Sequence, residues 1–166
     1  MAQMTKWKYS KKITVSHPIT KQVACIEKIH GLCKKEGAKN TPFNQEKCID
    51  VDKAEEEFAR KESRNRRNSV DMAIGIKSGN NQKIMLCELK LNVKNPSGLK
   101  NDAIKNKFEQ SKELLGKQTN FYPKPVYLVK QKHIDETINR LGRIYSGKIS
   151  SFNVFDLNDF KNTFFD

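Results

Sequence analysis

MLCELKLN, Met85 to Asn92, places a carboxylate and an ammonium inside a run of apolar side chains. With Ile84 ahead of it, the run predicts a strand covered on both faces. A charge in such a strand is costly to bury unless it is paired or binds a metal. Glu88 and Lys90 therefore either mark a half-exposed face or are placed there for chemistry.

The neighbouring residues narrow that choice. SVDMAIGIK, residues 69–77, predicts a second apolar strand, and KIMLCELKLN, 83–92, contains the first. Ser78-Gly79-Asn80-Asn81 between them is a hairpin signal. A turn centred between Gly79 and Asn80 sets Asp71 opposite Glu88, whether the loop has two residues or four. Opposed residues share a face with Cβ atoms ~5 Å apart. Lys90, two residues beyond Glu88, shares that face at about 7 Å. A one-residue slip would set Asp71 against Leu89 instead.

Two carboxylates this close repel, so one holds a proton or a cation sits between them. An all-oxygen pair suits Mg²⁺, which takes one or two protein carboxylates and keeps its waters. Such an ion polarises a phosphate and acidifies a bound water. A nearby lysine can orient that water. These are the parts needed to hydrolyse a phosphodiester. The competing reading is an ordinary cross-strand ion network on a half-exposed sheet face.

Asp71 followed on the next strand by Glu88-Leu89-Lys90, with a helix before and a helix and strand after, resembles the PD-(D/E)xK nuclease superfamily. The resemblance covers roughly residues 46–130, or from 20 if the core starts earlier. It implies an α/β (α+β) chain with a restriction-endonuclease-like core, a central mixed sheet flanked by helices. It implies Asp71 and Glu88 as Mg²⁺ ligands, with Mn²⁺ able to substitute and the Leu89 carbonyl as a further ligand. Lys90 would position or activate the attacking water. An acid on the first core helix is expected at Glu57, or at Glu27 for the earlier start. A polar residue on the following helix is expected at Gln110, with Lys112 near it as a phosphate contact. Val70 stands where the family often has Pro. The family core has three strands before its second helix. The third is expected near 42–51, or from the segment 7–15.

The composition favours an anionic partner. The 166 residues carry 32 Lys and Arg against 19 Asp and Glu, a net charge of +13. Such a chain is drawn to polyanions, nucleic acid first and an anionic membrane surface second. RKESRNRRN, 60–68, concentrates Arg60, Arg64, Arg66 and Arg67, and with Lys94 and Lys112 these are the expected nucleic-acid contacts. A salt-dependent affinity for DNA follows from charge alone, so it does not separate a nuclease from a binding module. No run approaches the ~18 apolar residues of a membrane helix, and the start lacks the apolar core of a secretion signal. A cytoplasmic protein is the expectation, with DNA as substrate, endonuclease rather than exonuclease action, and a homodimer as one arrangement. An inhibitor or immunity partner is expected if the chain is a toxin. Cys25, Cys33, Cys48 and Cys87 form no CxxC pair and read as buried thiols, with a metal shared by His30 and Cys33 the weaker alternative. There is no Gly-rich phosphate loop.

The length suits one domain, 1–166, with 1–18 as a basic arm or edge strand. Helical spacing is read from Pro18 and Thr20 to Gly37, and again over 46–63 and 101–116. Strand PVYLVK at 125–130, a helix at 132–146, a strand at 151–156 and a Phe-rich tail complete the chain.

Overall fold

The computed structural model describes residues 6–92, 94 and 101–165. The chain runs β1 (Lys8–Tyr9), α1 (Lys11–Ser16), α2 (Ile19–Gln22), β2 (Ile26–Lys28), α3 (Ile29–Lys35), β3 (Lys47–Asp50) and α4 (Val51–Lys61). It continues through β4 (Met72–Ser78), β5 (Asn81–Lys90), α5 (Asn101–Leu115), β6 (Val126–Val129), α6 (Ile134–Ile144), β7 (Asn153–Phe155) and α7 (Leu157–Phe164). The seven strands form one mixed sheet in the order β2-β3-β4-β5-β6-β7, with β1 also paired to β4. β5, β6 and β7 are parallel and the other pairings antiparallel.

The β4–β5 hairpin has the expected register, from Met72 opposite Cys87 to Ser78 opposite Asn81. Gly79, at φ +58, occupies the first turn position, where a type II′ turn needs a positive φ. Both faces of the hairpin are covered, as its apolar runs require. Ala73, Ile84, Leu86 and Tyr127 pack with Val51 and Ala54 of α4, Ile104 and Phe108 of α5, and Leu141 of α6. Met72, Ile74, Met85, Cys87 and Leu89 pack on the other face with Ile29 and Leu32 of α3 and Phe160 and Phe164 of α7. The result is an α/β fold with a mixed sheet between helical layers.

Two expectations are corrected. The helix expected up to Gly37 is broken in two by β2, because Val23 and Cys25 alternate inward and β2 pairs along β3. The helix expected over 46–63 begins only at Val51, where Asp50 caps it by accepting from Lys53 N. The four residues before it form β3, with Cys48 and Ile49 fully buried. With β4 and β5 it makes three strands between α3 and α5, in the first of the two places expected for the third. Among the described residues of the segment 1–18, Lys8 and Tyr9 form β1, which pairs with β4. Ser10 then caps α1 by accepting from Ile13 N. The Phe-rich tail forms α7 behind the cap Asp156.

All four cysteines are free and buried, and burial pushes each thiol up. His30 bonds Thr41 Oγ1 at 2.7 Å, as a structural histidine does. No helix among the described residues is long and apolar enough to cross a membrane.

Helix α1 lies directly on β4 because Gly75 has no side chain. Gly75 N donates to Thr14 Oγ1 and its carbonyl accepts from Ser10 N, both at 2.8 Å. A Cβ there would meet Ile13 at 2.5 Å and the Thr14 backbone at 2.6 Å. Gly75→Ala is expected to lower stability by about 1–3 kcal/mol, read as a fall in thermal midpoint of roughly 2–4 °C per kcal/mol.

Candidate metal centre

Asp71 precedes β4 by one residue, and the hairpin register carries on to set it opposite Glu88. The backbone around Asp71 is held from three elements. Val70 N donates to Ser111 Oγ of α5 at 2.9 Å, and Val51 N of α4 donates to the Asp71 carbonyl at 3.2 Å. Leu89 N of β5 donates to Asp71 Oδ2 at 2.7 Å, which fixes the carboxyl itself. The structure thus gives Leu89 a role through its amide, while its side chain packs beneath the sheet.

Glu88 is 1% exposed, sealed within the sheet's helical cover. Its neighbour across the parallel pair is Tyr127, also fully buried. The counter-charge comes from Lys107 on α5, whose Nζ lies 2.8 Å from Glu88 Oε2. Burial raises the Asp71 pKa far above the usual carboxylate range, and the facing Glu88 raises it further. A proton on Asp71 is what allows the two carboxyl groups to face each other. Burial works against the Lys107 ammonium, but the Glu88 charge outweighs it and raises the Lys107 pKa.

A second group of acids meets the first at Asp71. One carboxylate oxygen each from Glu36, Asp52 and Asp71 lies within 4.8 Å of the others, a set able to hold a metal ion. Asp52 stands in the first turn of α4, so the helix N-terminus favours its charge. Glu36 is the C-terminal cap of α3. Its pKa is raised by burial and then by Asp52, with Lys90 opposing the rise. Asp52 accepts from Ser69 Oγ and pairs with Arg66 at 3.1 Å. Lys90 is half-buried and pairs with Val129 in the sheet, and its side chain forms no ion pair or hydrogen bond with another described residue.

The other residues singled out in the sequence are distributed as follows. Gln110 sits one turn beyond Lys107 on the same side of α5, with Oε1 buried and unpartnered among the described residues. Glu57 is not in the acidic group; it pairs with Arg60 within α4. Glu27 is exposed on β2, with its carboxylate on its own chain neighbour Lys28 N. Arg64 grips Glu55 with two nitrogens at 2.9 and 3.0 Å, a structural clamp on a buried acid. Burial raises the Glu55 pKa, but the bonds from Arg64 outweigh it and hold the carboxylate below its ordinary range. Arg67 pairs with Glu113 at 3.4 Å and Lys112 with Glu109 at 3.5 Å, both at the surface, and Lys94 is exposed.

Glu36, Asp52 and Lys107 escape the sequence reading. Asp52 carried a faint signal, as an acid in the first turn behind the cap Asp50. Glu36 and Lys107 carried none, because each reaches the centre from a helix whose rotation is set by tertiary packing. Comparison with known proteins finds no matching family model, no similar curated protein and no similar solved structure.

The electrostatics of the pair carry a stability cost. A carboxyl whose folded pKa is raised contributes full stability at low pH and loses it as pH rises past the unfolded value. Asp71→Asn keeps the bond from Leu89 N and offers an amide donor to Glu88. The variant is expected to be more stable at pH 8 by about 1 kcal/mol or more, roughly 2–4 °C in thermal midpoint. The gain should shrink as pH falls toward the ordinary carboxylate range. Thermal denaturation from pH 5 to 8 checks both the sign and the trend.

Proposed function

We propose that the chain is a metal-dependent nuclease of the PD-(D/E)xK kind, cutting nucleic acid, DNA first, as an endonuclease. The observation that carries the reading is the buried Asp71–Glu88 pair, joined in register across a hairpin with Lys90 one step further on the same face. A purely structural ion network has no need of two facing carboxyls in a dry site. Glu88, sealed from solvent with the Lys107 ammonium as its counter-charge, fits a group that pairs with a cation.

The succession α3-β3-β4-β5-α5-β6 supports the restriction-endonuclease-like reading, since three strands lie between α3 and α5. Helix α4 is then an insertion between β3 and β4. On this reading Asp71 and Glu88 are ligands for Mg²⁺ or Mn²⁺, with the Leu89 carbonyl beside them. Glu36, from the first core helix, takes the place expected for Glu57 or Glu27, and Asp52 adds a carboxylate from the insertion. The bound ion would polarise the scissile phosphate and lower the pKa of a water. Lys90, whose side chain has no ion pair or hydrogen bond among the described residues, orients that water and meets charge developing on the phosphate. Gln110 offers its amide on the α5 side of the centre. Arg66 and Lys94 remain the best placed for phosphate contacts, whereas Arg64 is committed to Glu55.

The second reading is a module that grips nucleic acid on the same fold without cutting it. The net charge of +13 supports both readings equally. The intact acid pair with a free Lys90 favours catalysis.

Plasmid and linear DNA incubated with the protein and Mg²⁺ or Mn²⁺ should be cut, and chelator should stop the cutting. Lys90→Ala and Asp71→Ala should each cost about 10²-fold or more in rate while DNA binding persists. Persistent binding with no cleavage of any DNA or RNA form would reduce the protein to a binding module.

A further inference from the structure

The Lys107–Glu88 contact has a consequence for how the centre is filled. Glu88 is sealed from solvent, and Lys107 alone among the described basic side chains touches it. Lys107 itself is only partly covered, its side chain 25% exposed. Its backbone does not move with its ammonium. The Lys107 carbonyl accepts from Ser111 Oγ at 2.7 Å, and the same hydroxyl accepts from Val70 N at the head of β4. Helix α5 is therefore pinned to the strand that carries Asp71, while the four-carbon stem of Lys107 stays free to swing.

Resting on the metal-centre reading above, we infer that Lys107 is a built-in stand-in for the metal: it neutralises Glu88 in the ion-free protein and is displaced when a divalent ion binds. An unpaired buried carboxylate is strongly destabilising, so a centre that must survive without its ion needs an internal cation. A fixed structural pair would be expected to bury both partners. Here one partner is sealed and the other opens to solvent. Displacement turns the Lys107 ammonium outward, beside the rim that carries Lys90, where it becomes a contact for an anionic phosphate. Arg66 on Asp52 repeats the arrangement at the exposed side of the same acids.

The inference sets a sign. If Lys107 competes with the ion for Glu88, removing its charge tightens ion binding. If Lys107 instead holds Glu88 in place for the ion, removing it weakens binding. Mn²⁺ affinity, measured by electron paramagnetic resonance of the free ion against wild type and Lys107→Met, separates the two. Lys107→Met is expected to bind Mn²⁺ about tenfold more tightly, and Lys107→Arg to stay close to wild type. An unchanged or weaker affinity in Lys107→Met overturns the inference and leaves the metal centre standing. A wild type that binds no Mn²⁺ overturns both. Should Lys107→Met fail to fold, the wild type answers the question through the ¹⁵Nζ resonance of Lys107, assigned by its absence in Lys107→Arg. Saturating Mg²⁺ is expected to abolish the slow-exchanging ammonium signal of a held lysine. A signal unmoved at saturation contradicts displacement.

Discussion

Two carboxyl groups face each other across a hairpin in a place that water does not reach. Most of the structure around them can be read as a consequence. Asp71 and Glu88 can coexist only if a proton, a lysine or an ion stands between their charges, and the protein supplies the first two itself. The Leu89 amide holds Asp71 in orientation, Ser111 ties α5 to the strand head, and α5 delivers Lys107. Folding alone gains little from such an arrangement, because apolar residues of the same volume would pack there at lower cost. The arrangement is nonetheless held from three elements, by Leu89 of β5, Ser111 of α5 and Val51 of α4.

The same constraint orders the rest of the molecule. The sheet must be covered on both faces for Glu88 to be dry, and it is, by α4, α5 and α6 on one side and α3 and α7 on the other. The acids at the rim come from helix ends, Asp52 at the start of α4 and Glu36 at the end of α3. Asp52 gains from the helix dipole and from Arg66, whereas Glu36 sits at the unfavourable end with its pKa raised.

The hairpin and its register were legible because β structure has a period of two and a turn has a centre. Gly79 and Asn80 located the centre, and every pairing from Met72–Cys87 to Ser78–Asn81 followed from it. The N-terminal half was less legible. Val23, Ile26 and Ile29 suit a helix by spacing, yet Ile26 belongs to an edge strand whose hydrogen bonds come from β3. Lys47–Asp50 has too few residues to show a period, and only its pairing in the sheet makes it a strand. The acids followed the same division. Those on strands, Asp71 and Glu88, were placed by register. Those expected on helices, Glu57 and Glu27, lie outside the acidic group, which takes Glu36 and Asp52 instead, because helix rotation depends on packing that spacing does not encode. The arginine run shows the limit of composition: Arg64 is a clamp on Glu55, and its charge is already spent.

The central claim is that Asp71 and Glu88 form a divalent-cation centre. Crystals grown with Mn²⁺, measured at the manganese absorption edge, test it most directly. The expected result is an anomalous peak about 2.2 Å from oxygens of Asp71 and Glu88, with Glu36 or Asp52 on its flank. A map with no peak there, and Lys107 still against Glu88 at high Mn²⁺, would contradict it and leave a buried ion pair in a basic binding protein.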